Sequence, residues 1–149
     1  MTEVLHSRSI AAPASAVWSV LADFARLANW APVITHSSAM TQTSEGVGTM
    51  RRVAIGRTIL LERITEWEPE KILAYELEGL PPIIASAVNR WVLDDQGAST
   101  SVSLTAVVEP GPRPPMKAAA AVAARRIGAT NSSLLDCLAV EAEKIGAKR

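Results

Sequence analysis

The chain has 149 residues, 48% of them hydrophobic, and its 15 Lys and Arg residues balance 15 Asp and Glu. That length suits one domain, residues 1–149, with a real hydrophobic core, and the zero net charge without a basic patch argues against a nucleic-acid partner. The single Cys137 is too little for a disulfide framework or a cysteine zinc site, and neither a signal peptide nor a run of roughly 20 apolar residues is present, so the expectation is a cytoplasmic protein with no membrane span and no cofactor or metal.

Taken in order, residues 4–10 alternate as a first strand. Pro13 and Ala14 then open a short helix carrying Val17, Trp18, Val20 and Leu21 at helical spacing, and a second short helical piece spans 23–29. The Asn29-Trp30-Ala31-Pro32 segment ends it, because the residue before proline is driven out of helical geometry. Residues 34–40, 46–55, 57–67, 72–80, 85–93 and 99–108 read as strands separated by tight turns, with hairpins at Glu68-Pro69-Glu70-Lys71 and Asp94-Asp95-Gln96-Gly97.

The last third, 114–148, reads as one long helix. Met116, Ala120, Ala123, Ile127, Leu134, Leu138, Ala142 and Ile145 recur in steps of three and four, and Leu135 widens the stripe. Prolines at 110, 112, 114 and 115 suit a lead-in loop, and Lys144 and Lys148 lie near the negative end of the helix dipole. Such a rod is roughly 45 to 50 Å long and needs a wide partner surface. Asn131, flanked by Thr130, Ser132 and Ser133, interrupts its apolar face. Either these groups bond to the helix and to solvent, or the helix stops packing there and lines a cavity; Gly128 allows a close approach or a slight bend.

Strands bracketed by two short N-terminal helices and one long C-terminal helix make an α+β fold. Strand parity sets Leu73, Tyr75 and Leu77 on the buried face with Glu76 and Glu78 outward, and groups Asn89, Trp91 and Leu93. Parity does not separate Met50, Arg52 and Ala54 from Arg51, Val53 and Ile55; Met50 and Arg52 are assigned inward. An inward Glu62 would then require a partner such as Arg52.

Particular stretches carry a resemblance: residues 10–18, Leu27-Ala28-Asn29-Trp30-Ala31-Pro32, Ile64-Thr65-Glu66-Trp67-Glu68-Pro69 leading into Leu73-Ala74-Tyr75, and Trp91-Val92-Leu93 before Gly97 and Thr100. Over nearly its whole length the chain resembles the START-like superfamily, also called the Bet v 1-like or helix-grip fold, and within it the small bacterial proteins grouped with polyketide cyclases and dehydrases. The resemblance implies a curved antiparallel sheet gripping the C-terminal helix, with an apolar cavity that admits a lipid-like, aromatic or polyketide ligand. It does not fix an activity, because that architecture serves carriers, receptors and cyclases alike.

His6 and His36 stand alone, and no nucleophile elbow, zinc-binding helix, phosphate loop or dinucleotide fingerprint occurs. Most of the carboxylates read as solvated sheet faces. Among the four tryptophans, Trp18 reads as core, Trp67 as a cap on the sheet, and Trp30 as placed for a cavity mouth. The candidate ligand-binding set is Trp30, Met50, Arg52, Tyr75, Leu77, Asn89, Trp91, Ile127, Asn131 and Leu135, with no catalytic residue assigned. The leading expectation is a binding protein for a hydrophobic small molecule. The alternatives are a polyketide aromatase/cyclase or dehydratase, in which Arg52 or Tyr75 polarises a carbonyl, and an interaction module in which the Ala-rich helix or the loop 110–115 contacts a protein partner or a second copy as a homodimer.

Overall fold

The computed structural model describes residues 1–148. Seven strands form one antiparallel sheet: β1 (Thr2–Ile10), β2 (His36–Ala39), β3 (Met50–Ile55), β4 (Thr58–Glu68), β5 (Ile72–Glu78), β6 (Ile84–Asp95) and β7 (Thr100–Pro110), in the spatial order β1-β7-β6-β5-β4-β3-β2. Helix α1 (Ala14–Ala22) and a 3-10 segment, Phe24–Asn29, join the two edge strands, and the 32-residue helix α2 (Met116–Ala147) closes the chain. This is the α+β helix-grip architecture. No helix among the described residues is long and apolar enough to cross a membrane.

Three strands are shorter than the alternation suggests, and one of them, β5, stops at Glu78 before Gly79 at φ +88°. Residues 46–49 belong to a loop, because Gly46 and Gly48 adopt φ of +89° and +94°, outside strand geometry. Only residues 36–39 of the 34–40 segment pair with β3.

The β3–β4 hairpin turns on Gly56 and Arg57, with Ile55 opposite Thr58 and Gly56 at φ +60°, as a II′ turn requires. That turn sets every later pair of the ladder, including Arg51 opposite Glu62 and Val53 opposite Leu60.

Curvature comes from two bulges. In β4 the inward set Leu60, Glu62 and Ile64 gives way, after a register shift between Ile64 and Glu66, to Trp67. A second shift lies between Ile84 and Ser86 in β6. An extra residue on one strand bends it and adds twist, so the sheet wraps instead of lying flat. The inner face is mostly apolar, and the outer face carries ion pairs, Arg63–Glu78 between the adjacent β4 and β5 and Arg90–Glu66 reaching across β5 from β6 to β4.

Helix α2 packs on β1, β7 and α1. The close approach is at Gly128, where a Cβ atom would lie 2.8 Å from Val4 Cγ1. Arg8 of β1 bonds Asp136 of α2 at 2.6 Å over the same seam. Because α2 rests on the β1 and β7 side of the sheet, the inner face of β3, β4 and β5 lies off the helix axis.

Beneath α1 and the C-terminal half of α2 the core is filled. Leu135, Leu138, Ala139 and Ala142 are buried there, and Trp18 meets Trp67 edge-on at 5.0 Å. Trp67 is thus part of the packing between α1 and the sheet, beyond capping a strand end.

Candidate functional site

A cavity of about 620 Å³ separates the N-terminal half of α2 from the sheet. Its sheet wall is built by Val53, Leu60, Glu62, Tyr75, Leu77 and Asn89, all pointing inward by the two-residue period of their strands. The helix wall is Ala119, Ala123, Ile127, Asn131 and Leu134, with Thr130 beside them. Alanine has no side chain beyond Cβ, so the Ala-rich turns of α2 leave this space unfilled.

The polar groups are few and held in place. Asn131 Nδ2 donates to Asn89 Oδ1 at 2.9 Å, joining helix to sheet across the cavity wall. Both residues are buried, at 1% and 4% exposure. The break in the helix stripe thus faces inward, as a cavity-lining polar pair.

Behind this pair lies a buried cluster around Tyr75. Trp91 Nε1 donates to Tyr75 Oη at 3.3 Å, and the ring of Phe24 meets that of Tyr75 edge-on at 5.5 Å. Burial pushes the Tyr75 pKa above its ordinary value of 10.0 and the Glu62 carboxylate pushes the same way, while Arg51, Trp91 and Asn89 pull it down. The net direction is upward, so Tyr75 is a neutral hydroxyl at physiological pH, able to donate a hydrogen bond but not to act as a base.

The buried ion pair is Arg51–Glu62. Arg51 Nε donates to Glu62 Oε1 at 2.7 Å and Nη1 to the Phe24 carbonyl at 2.8 Å, with the guanidinium carbon 3.7 Å from the Phe24 ring centroid and 4.7 Å from that of Tyr75. Residue exposures of 3% and 6% make this a desolvated pair, and the carbonyl bond and ring faces offset part of the cost of burying it.

This corrects the inward assignment of Met50 and Arg52. Arg51 and Val53 face the core, so Met50 and Arg52 lie on the opposite, outer face, both half-buried and neither lining the cavity. The physical reason is the hairpin turn: its register puts Glu62 opposite Arg51, so the pairing that Glu62 needs is made one residue earlier. The Gly56-Arg57 pair in the sequence carries this signal, since a two-residue loop there fixes the register outright.

Of the other expected residues, Tyr75, Leu77, Asn89, Ile127 and Asn131 line the cavity together. Leu135 does not; it is buried one position past the lining face, and Leu134 takes that place. Trp91 supports Tyr75 from behind without reaching the main cavity. Trp30 lies away from it, between a void of about 10 Å³ shared with Arg51, Tyr75 and Trp91 and a separate pocket of about 390 Å³ against the C-terminal half of α2, and its buried Nε1 has no partner among the described residues. That void is one water in size. Sequence reasoning passed over Val53, Leu60, Ala123 and Leu134, ordinary apolar residues whose lining role depends on where α2 rests.

Solved structures share this architecture. The ZhuI aromatase/cyclase from Streptomyces is 23% identical, with TM-score 0.74 over 96% of this chain and 94% of that one. A Thermobifida fusca protein solved by solution NMR is 22% identical, with TM-score 0.79 over 97% and 95%. A START superfamily protein from Mycobacterium smegmatis is 19% identical, with TM-score 0.72 over 96% and 98%. At these identities the likeness concerns the fold. No curated protein sequence matches the chain. The family model described as "Polyketide cyclase / dehydrase and lipid transport" matches residues 1–143, and the chain belongs to that family.

Proposed function

We propose that the protein binds a hydrophobic small molecule between the sheet and α2. The observation that carries this reading is the cavity itself, about 620 Å³ with mostly aliphatic walls and a few fixed polar groups, the form of a small-molecule site. Tyr75, Asn89 and Asn131 supply hydrogen-bonding groups at one place on an otherwise greasy wall, enough to orient a carbonyl or hydroxyl without supplying a nucleophile. Displacement of a neutral solvatochromic dye by apolar compounds tests it, together with native mass spectrometry of protein purified from cells. Retained ligand or competitive displacement is expected; a protein that takes up neither dye nor ligand overturns the reading.

A second reading, ring closure of a polyketide-like chain, is favoured by the neutral Tyr75 hydroxyl lying on the same wall as the Asn89–Asn131 pair. In that reading an acidic methylene between two ketones of the chain gives its proton to water, and the enolate carbon bonds to a carbonyl carbon that Tyr75 polarises by a hydrogen bond. The resulting hydroxyl leaves as water with a second α-proton, while the cavity holds the chain folded. Arg51 acts from behind by lying over the face of Tyr75 and by pairing with Glu62, the pairing that the sequence reading gave to Arg52, while no arginine takes the carbonyl-polarising role expected of Arg52. Incubation with a linear poly-β-keto thioester mimic is expected to give a cyclised, dehydrated product with the parent protein and far less with Tyr75→Phe, at unchanged affinity for the dye. Equal conversion by both proteins removes Tyr75 from the chemistry.

A further inference from the structure

The lining residues that are also exposed mark where the cavity meets solvent: Thr58, Pro81, Val122 and Arg126. Val122 and Arg126 are four residues apart on α2, as are Arg126 and Thr130, so the three form one edge of the mouth. The facing edge, Leu80, Pro81 and Ile83, carries no charge. Only two charged side chains line the cavity, Glu62 and Arg126. Glu62 is neutralised by Arg51 at the inner end, and Arg126 makes no ion pair among the described residues. The uncompensated charge of the site is therefore one guanidinium at its rim.

Its surroundings strengthen the field. Between Gly111 and Leu135 the sequence holds Arg113, Lys117, Arg125 and Arg126 and no carboxylate, in a protein whose charges otherwise cancel. Arg57 adds a further cation next to Thr58 at the facing hairpin. None of these five forms an ion pair among the described residues. The nearest acidic residues in sequence are engaged elsewhere, Glu109 with the N-terminus and Asp136 with Arg8.

From this we infer that the ligand is an amphipathic anion, its apolar body in the cavity and its carboxylate or phosphate head on Arg126 at the rim. The inference rests on the proposed binding function and narrows it. A planar guanidinium presents paired donors that match either acid, and Thr130 offers a hydroxyl one turn away. A neutral lipid or hydrocarbon would fill the same walls and leave the cation with water alone.

The test compares three ligands of one chain length, decanoate, decyl phosphate and decanol, by displacement of a neutral dye at low salt. At least one anion is expected to bind about fivefold or more tightly than the alcohol, with the margin shrinking as salt is raised. Which anion leads separates a carboxylate from a phosphate head. Arg126→Gln is expected to bring the favoured anion to the level of the alcohol, whereas Arg125→Gln, one position off the lining face, keeps most of the preference. Equal binding of alcohol and anions by the parent protein overturns the inference while leaving the cavity reading intact. Equal losses in the two arginine variants overturn it as well, by showing a diffuse field without a rim contact. Dye uptake with no displacement by any of the three overturns the inference alone, whereas a protein that takes up neither the dye nor any of the three fails the binding function itself.

Discussion

Along α2, the turns from Leu135 to Ala142 bring leucines down onto α1 and the sheet, whereas those from Ala119 to Leu134 leave a cavity before β3, β4 and β5, with Ala119 and Ala123 at the positions where larger side chains would fill it. One helix thus does two jobs, set by side-chain volume. Leu135 and Leu138 are buried in the filled half, where each leucine stabilises by about 1.5 to 3 kcal/mol. In the other half, Ala119 and Ala123 face open space and contribute little to stability. The division teaches that stability and open volume are separable along one element, and the Asn89–Asn131 bond lies near the boundary between them.

The strongest way to break the comparison is at Arg51. Arg51→Met leaves Glu62 buried without its partner and is expected to cost about 3 to 5 kcal/mol in urea unfolding. Replacing both, with Arg51→Met and Glu62→Leu together, should recover most of that loss. A small effect of the single change would mean that water reaches the pair, and that the inner end of the cavity is wetter than its burial indicates.

Next, matched changes in the two halves should give opposite results. Leu138→Ala opens a void in the filled half and is expected to cost about 2 to 5 kcal/mol, with ligand affinity nearly unchanged. Ala123→Leu adds volume where space is free, so stability should move by less than about 1 kcal/mol while dye affinity falls about tenfold or more. If Ala123→Leu destabilises as much as Leu138→Ala, the space near Ala123 is not free.

The seam that holds α2 off β3 to β5 can be probed at Gly128. Alanine raises helix propensity by about 1 kcal/mol, but its Cβ would lie 2.8 Å from Val4 Cγ1, on a branched side chain with little room to turn. A net loss of about 1 kcal/mol is expected from thermal unfolding. A gain would show that the helix can lift from β1 without cost.

The smallest effect at neutral pH is that of Tyr75 ionisation. Its folded pKa is raised above 10.0, so as pH increases the unfolded chain loses this proton first. The contribution is complete below about pH 10 and is lost as pH rises through the folded pKa. Comparing unfolding at about pH 8 and about pH 11, Tyr75→Phe should show a shallower alkaline loss than the parent. Identical slopes would place the Tyr75 hydroxyl in contact with water.

Much of this is legible before any coordinates. The strand alternation that buries Tyr75 and Leu77, the long helix stripe and its polar interruption at Asn131 all follow from side-chain periodicity, because a strand repeats every two residues and a helix every 3.6. Arg51 against Arg52 was misassigned because adjacent like residues give parity nothing to choose by; the Gly56-Arg57 turn held the answer through register. Trp30 was misplaced for another reason. Its position after the 3-10 segment is visible in sequence, but the direction in which that segment folds over the sheet is not.

What the chain order and hydrophobic pattern determined is the sheet, the helix and which face of each is greasy, since those depend on neighbours a few residues away. Where α2 comes to rest across the sheet was decided only in three dimensions, by the contact of Gly128 with β1 and the leucines against α1. A few ångströms in that placement separate a filled core from a cavity of about 620 Å³, and local periodicity carries no information about the distance between two surfaces that are both apolar.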